Sequence, residues 1–101
     1  MMSEREKVIL NNTVNLLVSY FDPGKIILFG SRAKGINKKY SDFDFAVDTI
    51  KPNFKIQKKL TTEIEKYSGL YSVDIIYLNN VSKEFKKIIF NTGKVVYERR
   101  I

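Results

Sequence analysis

The chain has 101 residues and a net charge of +7, and 44% of its residues are hydrophobic and 29% are charged. This length and composition are typical of one globular domain, and the positive charge favours anionic partners such as nucleotides, nucleic acid or an acidic protein. The chain has no cysteine and no histidine, which excludes disulfides and Ser-His or Cys-His catalytic pairs, and leaves only oxygen ligands for a metal such as Mg²⁺, Mn²⁺ or Ca²⁺.

The chain begins with a charged segment and a long helix. The first residues, MMSEREKVILNN, lack the apolar core of a signal peptide, and no apolar run approaches the roughly 20 residues that span a bilayer. We therefore expect a cytoplasmic protein with no membrane partner. Apolar side chains recur at helical spacing from Ser3 to about Tyr20, with Ser3 suited to cap the helix. The β-branched run KIILFG then predicts a buried strand that ends at Gly30.

A short helix and a second strand follow the glycine. Ser31 is in a position to cap a short helix that Gly35 closes. The stretch SDFDFAVD alternates as strand residues do, which places Asp42 and Asp44 on one face, about 6–7 Å apart. Two carboxylates at that spacing repel each other, so we expect a cation or water beside them.

The second half of the chain predicts two more pairs of a helix and a strand. One helix ends at Gly69, a strand carrying Asp74 follows, a last helix ends at Gly93, and KVVYE forms a final strand. The order is α-β-α-β-α-β-α-β. This order predicts an α/β or α+β fold with a small mixed sheet flanked by helices, in a single domain over residues 1–101.

The turn at Gly30 and Ser31 is a candidate phosphate site. Gly30 has no Cβ, so the backbone can approach a ligand closely, and the N–H groups and hydroxyl at the start of a helix can bind an anion. Arg32 and Lys34 follow and are predicted to offset further phosphate charge. The simpler alternatives are an ordinary strand-to-helix turn and solvated basic side chains.

The aspartates are a candidate metal site. If Asp42, Asp44 and Asp74 converge from two strands, their repulsion is offset best by hard cations, which prefer oxygen ligands. Two such ions about 3.5–4 Å apart can hold the attacking and leaving oxygens of a displacement at phosphorus. The alternative is a solvated face of an exposed strand. A phosphate cradle followed closely by paired acids is the combination that nucleotidyl transfer requires.

The spacing of these residues resembles a known signature. Gly30-Ser31, ten intervening residues and Asp42-x-Asp44 resemble the motif of the DNA polymerase beta-like nucleotidyltransferase superfamily. The longer stretches that are similar to its smallest branch, the minimal nucleotidyltransferases, are GSRAKG, SDFDFAV, SVDIIYL and the closing NTGKVVYE. Phe45 stands where leucine is commoner. The members of that branch are antitoxin partners of HEPN-domain toxins, and the resemblance implies the nucleotidyltransferase fold.

The resemblance also implies a role for each matched residue. Gly30 and Ser31 would bind the β- and γ-phosphates of ATP. Asp42 and Asp44 would each bind both of two Mg²⁺ ions, with Mn²⁺ as an alternative metal. Asp74 would ligate the catalytic ion and help to deprotonate the attacking hydroxyl, a role that no histidine is present to fill.

The implied reaction is transfer of AMP from ATP to a tyrosine of the HEPN toxin, which blocks the toxin's RNase activity. Two alternatives remain open at this point. One is a non-enzymatic antitoxin that neutralises its partner by binding alone. The other is a nucleotidyltransferase with a small-molecule or nucleic-acid acceptor. A nucleic-acid partner is less favoured, because the basic residues are spread along the chain without an arginine- and aromatic-rich stacking motif.

Overall fold

The computed structural model describes residues 2–36, 38 and 40–100; Met1, Asn37, Lys39 and Ile101, which include both ends of the predicted domain, lie outside the described residues. The helices are α1 (Glu4–Phe21), α2 (Ser31–Lys34), α3 (Phe54–Ser68) and α4 (Lys83–Thr92), and a 3₁₀ turn covers Leu78–Asn80. The strands are β1 (Lys25–Phe29), β2 (Phe43–Val47), β3 (Val73–Tyr77) and β4 (Lys94–Glu98). The predicted element order and fold class are confirmed.

Local capping explains where the helices begin and end. The Ser3 hydroxyl accepts a hydrogen bond from the Glu6 N–H, and the Glu6 carboxylate accepts one from the Ser3 N–H, which forms a capping box at the start of α1. At the start of α3, the Asn53 side chain accepts a single hydrogen bond, from the Ile56 N–H. Gly69 and Gly93 follow the last residues of α3 and α4, as predicted.

The sheet has the strand order β3-β2-β1-β4, with β2 parallel to β3 and β1 antiparallel to both β2 and β4. Because β1 and β2 run in opposite directions, the end of β1 lies beside the start of β2, where Phe29 pairs with Asp44. Because β2 and β3 run in the same direction, Asp44 pairs with Asp74. The sheet therefore brings the Gly30 turn and the aspartates to one edge.

Helices cover both faces of the sheet. On one face, α1 and α3 enclose the main core, whose fully buried members include Ile9, Leu17, Phe43, Phe45 and Leu60. On the other face, α4 covers a smaller cluster of Ile27, Ala46, Leu78 and Ile89. Ala46 lies two residues beyond Asp44 on the same strand face and is fully buried. Asp44 therefore lies at the point where a buried face of β2 meets solvent. This differs from the alternative expectation, in which the whole strand face that carries the aspartates was solvated.

Among the described residues, no helix combines the length and the apolar character that crossing a bilayer requires.

Candidate active site

Three carboxylates converge at the edge of the sheet. Asp42, Asp44 and Asp74 each offer an oxygen, and these oxygens lie within 4.8 Å of one another. Asp44 and Asp74 are neighbours in the β2–β3 ladder, and Asp42 immediately precedes β2. Asp42 and Asp74 are exposed, whereas Asp44 is half-buried. The convergence expected from the sequence is thus present in the structure.

The electrostatics of this cluster are unfavourable without a cation. Burial raises the pKa of the Asp44 carboxyl, and the charges of Asp74 and Asp42, together with a hydrogen bond to Asp74, raise it further. The three acids form an all-oxygen donor set, which is the set that a hard divalent cation prefers. The residues therefore fit a metal such as Mg²⁺.

Gly30 packs directly against the cluster. Its φ is +74°, a conformation that side chains with a Cβ rarely adopt. A Cβ at this position would lie 2.5 Å from Oδ2 of Asp44. The turn thus needs glycine for its backbone conformation and for the space that Asp44 occupies.

Gly30→Ala is expected to lower the free energy of unfolding by about 1–3 kcal/mol and to displace the Asp44 carboxylate, with loss of metal binding. Gly35→Ala is the matched control, because Gly35 has a φ of +73° but nothing within 4 Å of an added Cβ. Gly30→Ala should lose more stability than Gly35→Ala, because the ψ of −155° at Gly30 lies in a region that is essentially open only to glycine, whereas Gly35, with a ψ of 17°, is in the ordinary left-handed region. Only Gly30→Ala should weaken Mn²⁺ binding in a titration. Equal Mn²⁺ affinities in the two variants would contradict the contact with Asp44.

Ser31 and Lys34 form the two ends of α2. The prediction that Ser31 caps this helix is wrong: Gly30 occupies the cap position, its carbonyl accepts from the Lys34 N–H at 3.3 Å, and Ser31 is the first helical residue. The reason is the positive φ of Gly30, which turns the chain into the helix one residue earlier. No described residue hydrogen-bonds to the half-buried Ser31 hydroxyl, and Lys34 is exposed. Their roles in phosphate binding stay predictions.

Arg32 is buried, with only 5% of its surface exposed. Its Nε and Nη2 donate to the Ser41 carbonyl at 3.1 and 3.0 Å, and its Nη1 donates to the Glu6 carboxylate. Its guanidinium stacks over the Phe43 ring at 4.0 Å. These contacts tie α1 to the main chain just before Asp42. The predicted contact between Arg32 and phosphate stays a prediction, and sequence reasoning missed the contacts that the structure gives this residue.

Acid is expected to weaken the link between α1 and Arg32. The Ser3 N–H and the Arg32 guanidinium lower the pKa of Glu6 from 4.5 to about 2. A lowered pKa means that the ionised form stabilises the fold above pH 4.5 and that this stabilisation is lost as the pH falls towards 2. Glu6→Gln should therefore flatten the dependence of Tm on pH in this window, whereas the exposed Glu4→Gln should not. Parallel Tm curves for Glu6→Gln and the unmodified chain would contradict this role.

The chain matches the polymerase beta nucleotidyltransferase family over residues 11–101. It is also 38% identical over 84 residues to the protein adenylyltransferase MntA of Aphanizomenon flos-aquae, a match that covers 72% of this chain and 55% of that protein. The chain thus spans about half the length of this curated relative.

Two solved toxin–antitoxin complexes contain chains of the same fold. One was crystallised with AMP-PNP; its matching chain has a TM-score of 0.68 and 23% identity, over 88% of this chain and 73% of that one. The other is a tri-AMPylated Shewanella oneidensis HEPN toxin in complex with an MNT antitoxin. Its matching chain has a TM-score of 0.68 and 20% identity, over 92% of this chain and 72% of that one. With the family match over most of the described residues, and the glycine turn and carboxylates in place, the chain belongs to the polymerase beta nucleotidyltransferase family.

Proposed function

We propose that this chain is a metal-dependent nucleotidyltransferase that acts as an antitoxin, transferring AMP from ATP to a tyrosine of a HEPN-domain toxin and so neutralising the toxin's RNase activity. The observation that carries the proposal is the cluster of three carboxylates, within 4.8 Å of one another, beside the Gly30 turn. Two comparisons support the choice of acceptor: one relative is named a protein adenylyltransferase, and a chain of the same fold was solved in a complex with an AMPylated toxin.

Asp42, Asp44 and Asp74 would hold the metal. We propose two Mg²⁺ ions, with Mn²⁺ as an alternative. Such ions, when bound, would neutralise the triphosphate and the charge that develops at phosphorus. The contribution of the chain is to hold the three acids together, although burial and the charges of Asp74 and Asp42 raise the pKa of Asp44 and so disfavour its ionised form.

Gly30 and Ser31 would bind the β- and γ-phosphates of ATP. The Ser31 hydroxyl and the N–H groups at the start of α2 can donate to phosphate oxygens. Lys34 is exposed and can add a positive charge there. Arg32 has a smaller proposed share in phosphate binding, because three of its N–H groups already donate to Ser41 and Glu6.

Asp74 would act on the acceptor. The tyrosine oxygen attacks the α-phosphorus, an O–P bond to AMP forms, the bond from the α-phosphorus to the bridging oxygen breaks, and pyrophosphate leaves. The phenolic proton passes to the Asp74 carboxylate, which is exposed on the outermost strand of the described sheet. A carboxylate is suited to this role in a chain that has no histidine.

We further propose that residues 1–101 form one nucleotidyltransferase domain and that the protein acts in the cytoplasm, where both ATP and the RNA cleaved by such a toxin are found.

The test uses ATP labelled either in the α- or in the γ-phosphate, together with Mg²⁺ and the HEPN-domain protein of the same organism. We expect label from the α-phosphate alone to appear on the partner, and chelation by EDTA to prevent it. Asp48→Asn is the matched control for Asp44→Asn, because Asp48 is an exposed aspartate just beyond the end of β2 that lies away from the carboxylate cluster. It should transfer label as the unmodified chain does. Label from the γ-phosphate, or label that persists in EDTA, would contradict the proposal.

A further inference from the structure

In the part of the chain that the structure describes, the outer edge of β3 is open. Within the described residues, β3 is the last strand of the sheet and pairs with β2 alone. The Phe43 N–H donates to the Ser72 carbonyl at 2.9 Å, and Phe43 is in register with Val73. In a parallel ladder, this bond directs the backbone groups of Ser72, Asp74 and Ile76 towards β2. The residues whose N–H and C=O groups face outward are Val73, Ile75 and Tyr77.

The opposite edge of the sheet carries features that prevent strand addition. The pairing of β4 with β1 shifts register around Val96, which leaves an irregularity in the strand. Lys94 and Glu98 are exposed on β4, and Glu98 forms an ion pair with Lys25. Bulges and charged side chains are the usual protection of an edge strand. β3 keeps its register through all five residues and carries neither lysine nor proline, so the edge that holds Asp74 is the less protected one.

A groove runs beside this edge, between β3 and α3. Its volume is about 500 Å³. Its lining is mixed. Leu60, Ile64, Val73, Ile75 and Tyr77 contribute apolar groups, and Gln57, Thr61, Glu65, Ser68 and Ser72 contribute polar ones. Asp74 lies at the border of the groove, but its carboxylate joins those of Asp42 and Asp44 on the other face of the sheet. An added strand would alternate in the same way, with every second side chain in the groove and the others beside Asp74.

We propose that the open edge of β3 pairs with an extended segment of the acceptor protein that carries the tyrosine that receives AMP. This inference rests on the proposed function. A polypeptide is the partner that offers donors and acceptors at the spacing of the outward-facing groups. A tyrosine opposite Asp74 would have its Cβ about 4.5–5.5 Å from that of Asp74, on the face of the carboxylates. Its two neighbours in the segment would then point into the groove, between the apolar and polar side chains that line it.

Amide hydrogen exchange of the unmodified chain tests the pairing, with the HEPN-domain protein, AMP-PNP and Mg²⁺ present or absent. The amides of Val73, Ile75 and Tyr77 should exchange about 10-fold or more slowly when the partner is bound. Those of Asp74 and Ile76 already face β2 and serve as an internal control in the same strand, with little change expected. This result would support the pairing.

The other outcomes separate the inference from the proposed function. If the partner is labelled with AMP while the outward-facing amides keep their exchange rates, the pairing is wrong and the proposed function stands. If those amides are protected but AMP is never transferred with ATP, the pairing stands and the proposed reaction is wrong. If protection appears without the partner and grows with protein concentration, a second copy occupies the edge and the inference is overturned.

Ile75→Pro provides a second test, because proline removes an outward-facing N–H without removing a bond to β2. We expect AMP transfer to the partner to fall about 10-fold or more, while Mn²⁺-dependent AMP-PNP binding shows that the carboxylate site is intact. Val95→Thr, on the other edge strand, is the control and should transfer AMP normally. Normal transfer by Ile75→Pro would overturn the inference.

Discussion

Asp44→Asn is expected to reduce AMP transfer by roughly 10²–10³-fold or more and to raise the Tm of the metal-free protein at neutral pH. The substitution removes one metal-ligating charge with almost no change in side-chain shape. It also removes the carboxylate whose ionised form is disfavoured by burial and by the charges of Asp74 and Asp42. Catalysis and stability should therefore change in opposite directions.

The raised pKa of Asp44 determines how the gain in Tm from Asp44→Asn should depend on pH. The pKa of Asp44 is raised above its ordinary value of 3.8 in the folded protein, so the folded state holds a proton that the unfolded state has released. Stability from this group is lost as the pH rises through the folded pKa. The gain in Tm from Asp44→Asn should be present at neutral pH and should disappear below pH 3.8, the ordinary pKa of an aspartate carboxyl. Thermal unfolding in EDTA measures it, and a lowered Tm at neutral pH would contradict the interpretation.

Arg32→Met is expected to lower the free energy of unfolding by about 3 kcal/mol. The substitution removes the hydrogen bonds to the Ser41 carbonyl and leaves the Glu6 carboxylate, whose side chain is 14% exposed, without its cation. The Ser41 carbonyl immediately precedes Asp42, so Mn²⁺ affinity should also fall. Urea denaturation and a Mn²⁺ titration measure the two effects.

A double variant separates the ion pair from the rest of the Arg32 contacts. Adding Glu6→Gln to Arg32→Met should cost less than the sum of the two single changes, because the carboxylate is no longer left unpaired. If Arg32→Met instead leaves the free energy of unfolding unchanged and weakens only AMP-PNP binding, then Arg32 is a phosphate ligand, as the sequence predicted. The experiment therefore decides between the two roles.

Much of the fold is encoded locally and could be predicted. The helix around Leu17 follows from apolar spacing and from the cap at Ser3, and Gly69 and Gly93 mark helix ends through their own chemistry. Alternation in the stretch SDFDFAVD predicted that Asp42 and Asp44 lie together, although Asp42 lies just before β2 and not in it. The position of Asp74 beside them depends on the parallel pairing of β2 and β3, which no local pattern specifies, and the resemblance to a known family supplied it.

The features that escaped prediction depend on contacts between distant residues. Arg32 follows a polar turn and so has the sequence context of a solvated side chain, but Glu6 lies 26 positions away and draws it inside. The burial of Ala46 under α4 also depends on the topology of the sheet. Whether a strand lies at an open edge, as β3 does among the described strands, is decided by strand order alone. Capping, periodicity and alternation carry no information on these points.

The decisive measurement is the mass and the fragmentation pattern of the HEPN-domain partner after incubation with this chain, ATP and Mg²⁺, with the RNase activity of the partner measured on the same sample. We expect AMP on a tyrosine and a loss of RNase activity that follows the extent of modification. With Asp44→Asn, the partner should stay unmodified and active. Loss of RNase activity with no AMP on the partner would show instead that the chain neutralises its partner by binding alone.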